Sequence, residues 1–271
     1  MFTSEPFKPK IIEQYSQASS KFEELENPIC IVGVPDLTQL GKYCVECLIQ
    51  ALKAEKILTY LFNDFEPIIT SEQSKQPLEL MQVDFYILKK LRETTDFILV
   101  KGNGSPTSPI GIHFLSDKVA EFICSFKPQF ILSIATFPVE YATPTPRTYL
   151  SYTSEELLQI FKIDQKTRKN EALRLQLLQK GIVKGMNGLT ISYAKSLYDV
   201  IGGILLSETV VSERKDYNAI FAVLEVLNAV LDLQLPLLSL KKDAKKYYEN
   251  LQKKPLSKED PLKQARRRIK A

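Results

Sequence analysis

The sequence predicts an α/β fold, a mostly parallel sheet covered by helices on both faces. Three observations predict it. Short apolar runs recur at residues 28–34 (PICIVGV), 96–101 (DFILVK) and 129–136 (QFILSIAT), the pattern of strands buried on both faces. Segments with apolar residues at helical spacing alternate with them, and joints rich in Gly, Pro and Asn separate the two kinds. Strands that alternate with helices place a sheet between helical layers.

Each element follows in order. After the strand at 28–34, Gly33 and Pro35 turn the chain. Residues 37–53 are read as a helix, with Leu40, Cys44, Cys47, Leu48 and Ala51 at helical spacing. Residues 56–62 form the next strand, 83–88 an antiparallel strand and 96–101 a buried one. Residues 102–106 (GNGSP) are a loop by composition, 112–126 a helix and 129–136 a strand. The proline-rich stretch 141–147 (YATPTPR) is non-helical, and 148–152 is a short strand. Thr153 is expected to cap a helix through its Thr-Ser-Glu-Glu box. Residues 164–178 are polar and read as an exposed helical insertion. The Gly-x-Asn-Gly turn at 185–188 opens a helix over 187–197, followed by a strand at 200–206 and a long amphipathic helix at 217–231.

A helix is then predicted over 241–251, with Ala244, Tyr247, Tyr248 and Leu251 on one face. Pro255 interrupts it. Residues 257–261 (SKEDP) start a second short helix, and Arg266, Arg267, Arg268 and Lys270 give it a cationic end that suits the helix dipole. The chain thus divides into an N-terminal extension (1–27), an α/β domain (28–240) and a basic helical C-terminal tail (241–271).

Bulk properties exclude several classes. A chain of 271 residues buries roughly 70–75% of its unfolded surface. Composition is ordinary for a soluble globular protein, and no segment nears the ~18 uninterrupted apolar residues of a membrane helix. The start, Met1-Phe2-Thr3-Ser4-Glu5-Pro6, lacks a signal-peptide pattern, so a cytoplasmic location without membrane contact is expected. The net charge of +4 is uneven: residues 241–271 hold 12 Lys or Arg against 4 Asp or Glu, a net of +8, which leaves −4 for the rest. Basic character belongs to the tail. No aromatic residue follows Tyr248 to stack on bases, which disfavours nucleic acid as a partner.

Candidate chemistry is sparse. Cys44 and Cys47 form a Cys-Val-Glu-Cys pair, but it falls within a helix and lacks a second ligand pair, so Cys30, Cys44, Cys47 and Cys124 read as packing residues and no metal is expected. The stretch from Gly33 to Lys42 follows a strand like a phosphate loop. Yet Asp36 sits in the turn, and Tyr43 stands where a Walker loop needs Ser or Thr after Lys42. The loop from Gly102 to Gly111 occupies a position where α/β ligands often bind, but reads as the turn that starts the next helix. His113 is the only histidine, and no Gly-x-Ser-x-Gly elbow is present. Glu155 and Glu156 suit a helix start, and Glu208 ends a strand without an identifiable partner. No catalytic residue and no cofactor site is therefore assigned. Phe137, Tyr141 and Tyr149 lie in apparently surface segments and fit either burial between subunits or packing within the domain.

Several motifs in order resemble the PAC2 family of proteasome assembly chaperone 2-like proteins, over about residues 29–240. They are Gly33-Val34-Pro35 with Gly41-Lys42; the loop from Gly102 to Gly111; Pro146-Arg147-Thr148-Tyr149 with Thr153-Ser154-Glu155-Glu156-Leu157; Gly181-Ile182-Val183-Lys184-Gly185-Met186-Asn187-Gly188-Leu189; and Leu205-Leu206-Ser207-Glu208-Thr209 with Ala222-Val223-Leu224-Glu225-Val226-Leu227. The chain departs from the family pattern at Asp36 and Thr38, where glycines are usual, and at Phe137-Pro138, where a Gly-Gly pair is frequent. It ends Arg268-Ile269-Lys270-Ala271, not in the hydrophobic-Tyr-x tail of some chaperone-type members.

The resemblance implies a three-layer α/β/α fold similar to purine nucleoside phosphorylases, no established catalysis, homo-oligomers and, in some members, binding to proteasome α subunits. The expected function is that of a non-enzymatic, assembly-chaperone-like protein that acts through protein contacts. The alternative is a nucleoside- or phosphate-like small-molecule binder or enzyme that uses a phosphorylase-like cleft near Asn103 and Glu208.

Overall fold

A computed structural model describes residues 8–65, 69–70, 79–91, 95–212 and 215–253. The chain runs β1 (Ile11–Tyr15), β2 (Ile29–Gly33), α1 (Leu40–Leu52), β3 (Glu55–Phe62), β4 (Ile69–Thr70), β5 (Glu79–Leu80), β6 (Gln82–Leu91), β7 (Thr95–Gly102) and α2 (Pro109–Cys124). It continues with β8 (Phe130–Val139), β9 (Thr148–Tyr152), α3 (Glu156–Ile160), β10 (Lys169–Asn170), β11 (Leu175–Leu177), α4 (Met186–Tyr198), β12 (Gly202–Val210), α5 (Tyr217–Leu231) and α6 (Leu237–Lys253).

Ten strands form one sheet in the order β1-β3-β6-β7-β2-β8-β12-β9-β11-β10, while β4 and β5 pair separately. The sheet is mixed, and this corrects the expectation of a mostly parallel one. Only the central quartet β7-β2-β8-β12 is parallel throughout. On one side β6, β3 and β1 add antiparallel strands. On the other, β9 adds antiparallel to β12, β11 runs parallel to β9, and β10 closes a hairpin on β11. For β6 and β7 the reason lies in the connection. Parallel neighbours need a crossover of a dozen or more residues. Only residues 92–94 link β6 to β7.

The quartet is dry on both faces because its side chains alternate between two cores. Ile29, Ile31, Leu132, Ile134 and Leu205 pack with Cys44, Val45 and Leu48 of α1 and Val223 and Leu227 of α5. Cys30, Val32, Ile98, Val100 and Ile204 pack with Leu115 and Val119 of α2 and Ile191 and Ala194 of α4. An unbroken apolar run such as residues 28–34 is what two-sided burial requires. All four cysteines are free; Cys30, Cys44 and Cys124 are buried and Cys47 is half-buried.

Several local expectations change. Strand β1 was not legible from its sequence. Thr153 caps no helix: its hydroxyl donates to the Gly202 carbonyl (3.1 Å) and accepts from the Gly202 amide (2.9 Å), so it pins the β9 end to β12. The following helix is only five residues long and has no side-chain cap. Residues 164–178 are not an exposed helix. They form β10 and β11, with Leu175 and Leu177 buried and Gln176 between them half-buried, because an alternating triplet can complete the open edge of β9. Helix α2 begins at Pro109, earlier than expected, and β12 extends to Val210. Helix α6 packs on α5 with Ala244 buried. The side chains of Tyr247, Tyr248 and Leu251, and everything from residue 254 onward, lie outside the described residues.

Gly33 and Gly41 set how closely α1 approaches the sheet. A Cβ on Gly33 would strike the Gly41 carbonyl, and one on Gly41 would sit 2.6 Å from the Ile134 carbonyl oxygen. Both obstacles are backbone, which cannot swing aside. Gly41→Ala is therefore expected to cost about 1–3 kcal/mol, seen in thermal unfolding as a drop of roughly 2–4 °C per kcal/mol. An unchanged melting temperature would mean that α1 can slide without penalty.

Candidate functional site

The four parallel strands end at one edge of the sheet, and ligands of α/β proteins generally bind outside such carboxyl ends. At β2 and β8 the chain leaves in opposite directions, β2 toward β3 and β8 toward β9 and β12. This is where a crevice is expected, and Asp36 bridges it. Its carboxylate accepts from the Thr136 amide (2.6 Å), the Thr136 hydroxyl (2.8 Å) and the Thr38 amide (3.1 Å). The Thr38 and Thr136 hydroxyls lie 2.7 Å apart, and Thr38 Oγ1 also accepts from the Leu40 amide at the start of α1. Burial pushes the Asp36 carboxyl above its ordinary range, against these hydrogen bonds.

The other loops of this edge are also bound to the protein itself. Asp64 takes the Ser108 amide (2.9 Å) and hydroxyl (2.8 Å) and the Thr107 hydroxyl (3.1 Å), while Ser108 Oγ caps α2 through the Gly111 amide. Ser105 donates to the Pro35 carbonyl at 2.8 Å. The loop from Gly102 to Gly111 is thus the start of α2, with a carboxylate already at the helix end. At α5, Asp216 accepts from the Asn218 and Ala219 amides and from the Thr209 hydroxyl. Burial raises the Asp216 carboxyl as well.

The Gly-x-Asn-Gly turn anchors α4 to the same edge. Gly185 has φ +83°, a conformation that favours glycine. Asn187 is fully buried. Its Nδ2 donates to the Val34 carbonyl (3.1 Å), and its own carbonyl accepts from Ser133 (2.8 Å). One residue therefore ties α4 to the end of β2 and to the middle of β8.

The residues singled out from sequence separate into three places. His113 sits on α2 with Nδ1 2.8 Å from the Tyr193 hydroxyl. Asn103 accepts from the Gln82 amide and donates to the Leu80 carbonyl beside β6. Glu208 lies on β12, beyond β2 and β8 from the strand that leads to Asn103, and the two do not meet. Glu208 does have partners. It accepts from the Tyr149 hydroxyl (2.8 Å) and the Arg147 amide (3.1 Å). Tyr149 stacks on Phe137 with ring centroids 4.5 Å apart. Burial and the Glu208 bond both raise the Tyr149 phenol. Among the described residues, no group of three or more His, Cys, Asp or Glu is placed to hold a metal, and no helix is long and apolar enough to cross a membrane.

Large apolar side chains reach solvent around this edge. Leu37 and Ile110 are exposed, Tyr141 is 82% exposed and Ile182 84% exposed. Leu37 lies in the β2–α1 loop, Ile110 at the start of α2, Tyr141 beyond β8 and Ile182 ahead of α4. The carboxylates of Asp36, Asp64 and Asp216 are thus bonded to the chain itself, while these four apolar side chains stand in solvent.

The PAC2 family model matches residues 30–254, and the chain belongs to that family. An uncharacterized protein of Methanocaldococcus jannaschii is 29% identical over 243 residues, which span 90% of this chain and 89% of the relative. Among solved structures, Pyrococcus furiosus PbaB, an archaeal proteasome activator, superposes with a TM-score of 0.74 at 26% identity, covering 90% of this chain and 98% of its own. Pyrococcus furiosus PbaA, an archaeal homolog of proteasome-assembly chaperone, matches with a TM-score of 0.68 at 20% identity, covering 97% of each chain; this likeness concerns the fold.

The Asp36 brace has a pH signature. Its raised value means that the native state holds a proton more readily than the unfolded chain. From the ordinary value of 3.8 upward to the folded value, stability therefore falls as pH rises. Asp36→Asn removes that slope and turns an amide NH₂ toward one of three donors. A cost of about 1–2 kcal/mol is expected near pH 4, with the gap to wild type narrowing as pH rises to the folded value. Denaturant unfolding at stepped pH measures it, and a widening gap would refute the sign.

Proposed function

We propose that this chain is a non-enzymatic protein of the proteasome-assembly or proteasome-activation type, which binds proteasome α subunits through the carboxyl edge of its sheet. The observation that carries the reading is the similarity to PbaB, a proteasome activator, over nearly the whole of both chains. The edge supports it. Its carboxylates are spent on loop and helix amides, whereas Leu37, Ile110, Tyr141 and Ile182 stand in solvent. A cytoplasmic location and a homo-oligomeric state belong to the same proposal, as does a finer likeness to the three-layer phosphorylase fold. The division of the chain at residue 240 belongs to the proposal too, with α6 (Leu237–Lys253) running across it and packing on α5.

Interface energy concentrates in a few central aromatic and aliphatic anchors. Tyr141→Ala with Ile182→Asp is therefore expected to weaken capture of purified α subunits by about 10–100-fold, while the melting temperature stays within roughly 2 °C of wild type. Surface plasmon resonance on immobilised α rings measures the first quantity and calorimetry the second. Absence of binding by wild-type protein would overturn the reading. A saturable thermal shift with nucleosides or phosphate would instead support a small-molecule role.

A further inference from the structure

Three hydroxyls stand in a row on the α1/α5 face of the sheet, across β8, β12 and β9. Ser207 lies opposite Thr136 on one side and opposite Thr148 on the other. Residues directly opposite share a face, and the neighbouring apolar row Ile134, Leu205 and Leu150 packs into the core of that face. The row is thus internal. Ser207 is 0% and Thr148 1% exposed.

The three are not equally satisfied. Thr136 bonds to Asp36 and Thr38. Ser207 Oγ and Thr148 Oγ1 have no protein partner within hydrogen-bonding distance. A buried hydroxyl without a partner is costly, and native proteins nearly always satisfy one. Each hydroxyl offers one donor and two acceptor positions. Directly opposed strand residues hold their Cβ atoms about 4.5–5.5 Å apart, a span that a single molecule with hydrogen-bond distances of about 2.7–3.0 Å can bridge.

We infer that Ser207 and Thr148 form an internal site for one ordered water molecule, which bridges the two hydroxyls at the seam where the parallel sheet turns antiparallel. Water fits because it both donates and accepts, and buried waters typically make two to four such bonds. Thr136, next to Ser207 in register, offers a third contact. The site has a structural consequence. Tyr149 and Glu208 follow Thr148 and Ser207 directly in sequence and point to the opposite face, where they hydrogen-bond to each other. A bridge under 207 and 148 fixes the register that presents this pair.

A crystal structure of the full chain at about 1.5 Å or better is the decisive test. Expected is a single spherical peak about 2.7–3.0 Å from both Ser207 Oγ and Thr148 Oγ1. Either a direct bond between the hydroxyls or both turned onto main-chain carbonyls would overturn the inference, as would density larger than one water. In solution, water-to-amide cross-relaxation at residues 148 and 207 is expected in wild type and should vanish in Ser207→Ala/Thr148→Val. Thermal unfolding adds a third readout. Each single variant is expected to lower the melting temperature by roughly 2–4 °C, and the double variant by less than the sum, because removing both groups leaves nothing unpaired. Should the double variant not fold, the wild-type density still decides.

Discussion

The backbone of Gly33 lies against that of Gly41 without room for a methyl group, and the carboxyl edge of the sheet is organised around that contact. It draws the first turn of α1 onto β2 and β8. The loop between them is consequently short and tightly folded. Asp36 is carried over the second half of β8, where the Thr136 amide and hydroxyl meet its carboxylate. The two glycines that resemble a phosphate cradle therefore serve packing between a helix and a strand. The space a phosphate would need is filled by a carboxylate of the chain itself, which would repel it.

The same solution recurs along the edge. Asp64 holds the start of α2 and Asp216 the start of α5, each meeting backbone amides that would otherwise be left open. A helix N-terminus already occupied by a carboxylate is poorly suited to recruit an anionic substrate. Burial raises Asp36 and Asp216, so part of their hydrogen bonding offsets desolvation instead of adding stability. Such carboxylates act as braces. They fix loop geometry at a modest net energy, consistent with a surface that must keep its shape.

Much of the fold was legible because its signals are local. Residues 217–231 read as an amphipathic helix, and α5 spans Tyr217–Leu231; the apolar run at 28–34 contains β2. What failed depends on distant partners. β1 shows four exposed residues of five and is defined by its pairing with β3. Residues 164–178 look polar and helical until the open edge of β9 is there to receive Leu175 and Leu177. At the site, the Asp36-Leu37-Thr38 spacing is that of an Asx turn, and Thr38 does donate to Asp36. Thr136, one hundred residues away, could not be paired with Asp36 by any local rule. Phe137 and Tyr149, for which burial between subunits and packing within the domain both stood open, stack on each other within the domain.

The exposed apolar residues differ in how firmly they are held, and that difference bears on binding. Leu37 sits between Asp36 and Thr38, both hydrogen-bonded, and Ile110 lies within the capped first turn of α2. Their backbones are already fixed, so a partner that buries them does not have to order them. Tyr141 and Ile182 stand on longer loops, at residues 140–147 and 178–185. The first of these is tied at Thr143, whose carbonyl accepts from Asn218 and whose hydroxyl accepts from the Thr145 amide. The second ends at Gly185, whose positive φ leads into α4. The four exposed side chains thus stand on backbones held to different degrees, two inside hydrogen-bonded turns and two on eight-residue loops. The positive-φ glycine, the buried asparagine and the braced aspartates together hold these backbones at one edge of the sheet.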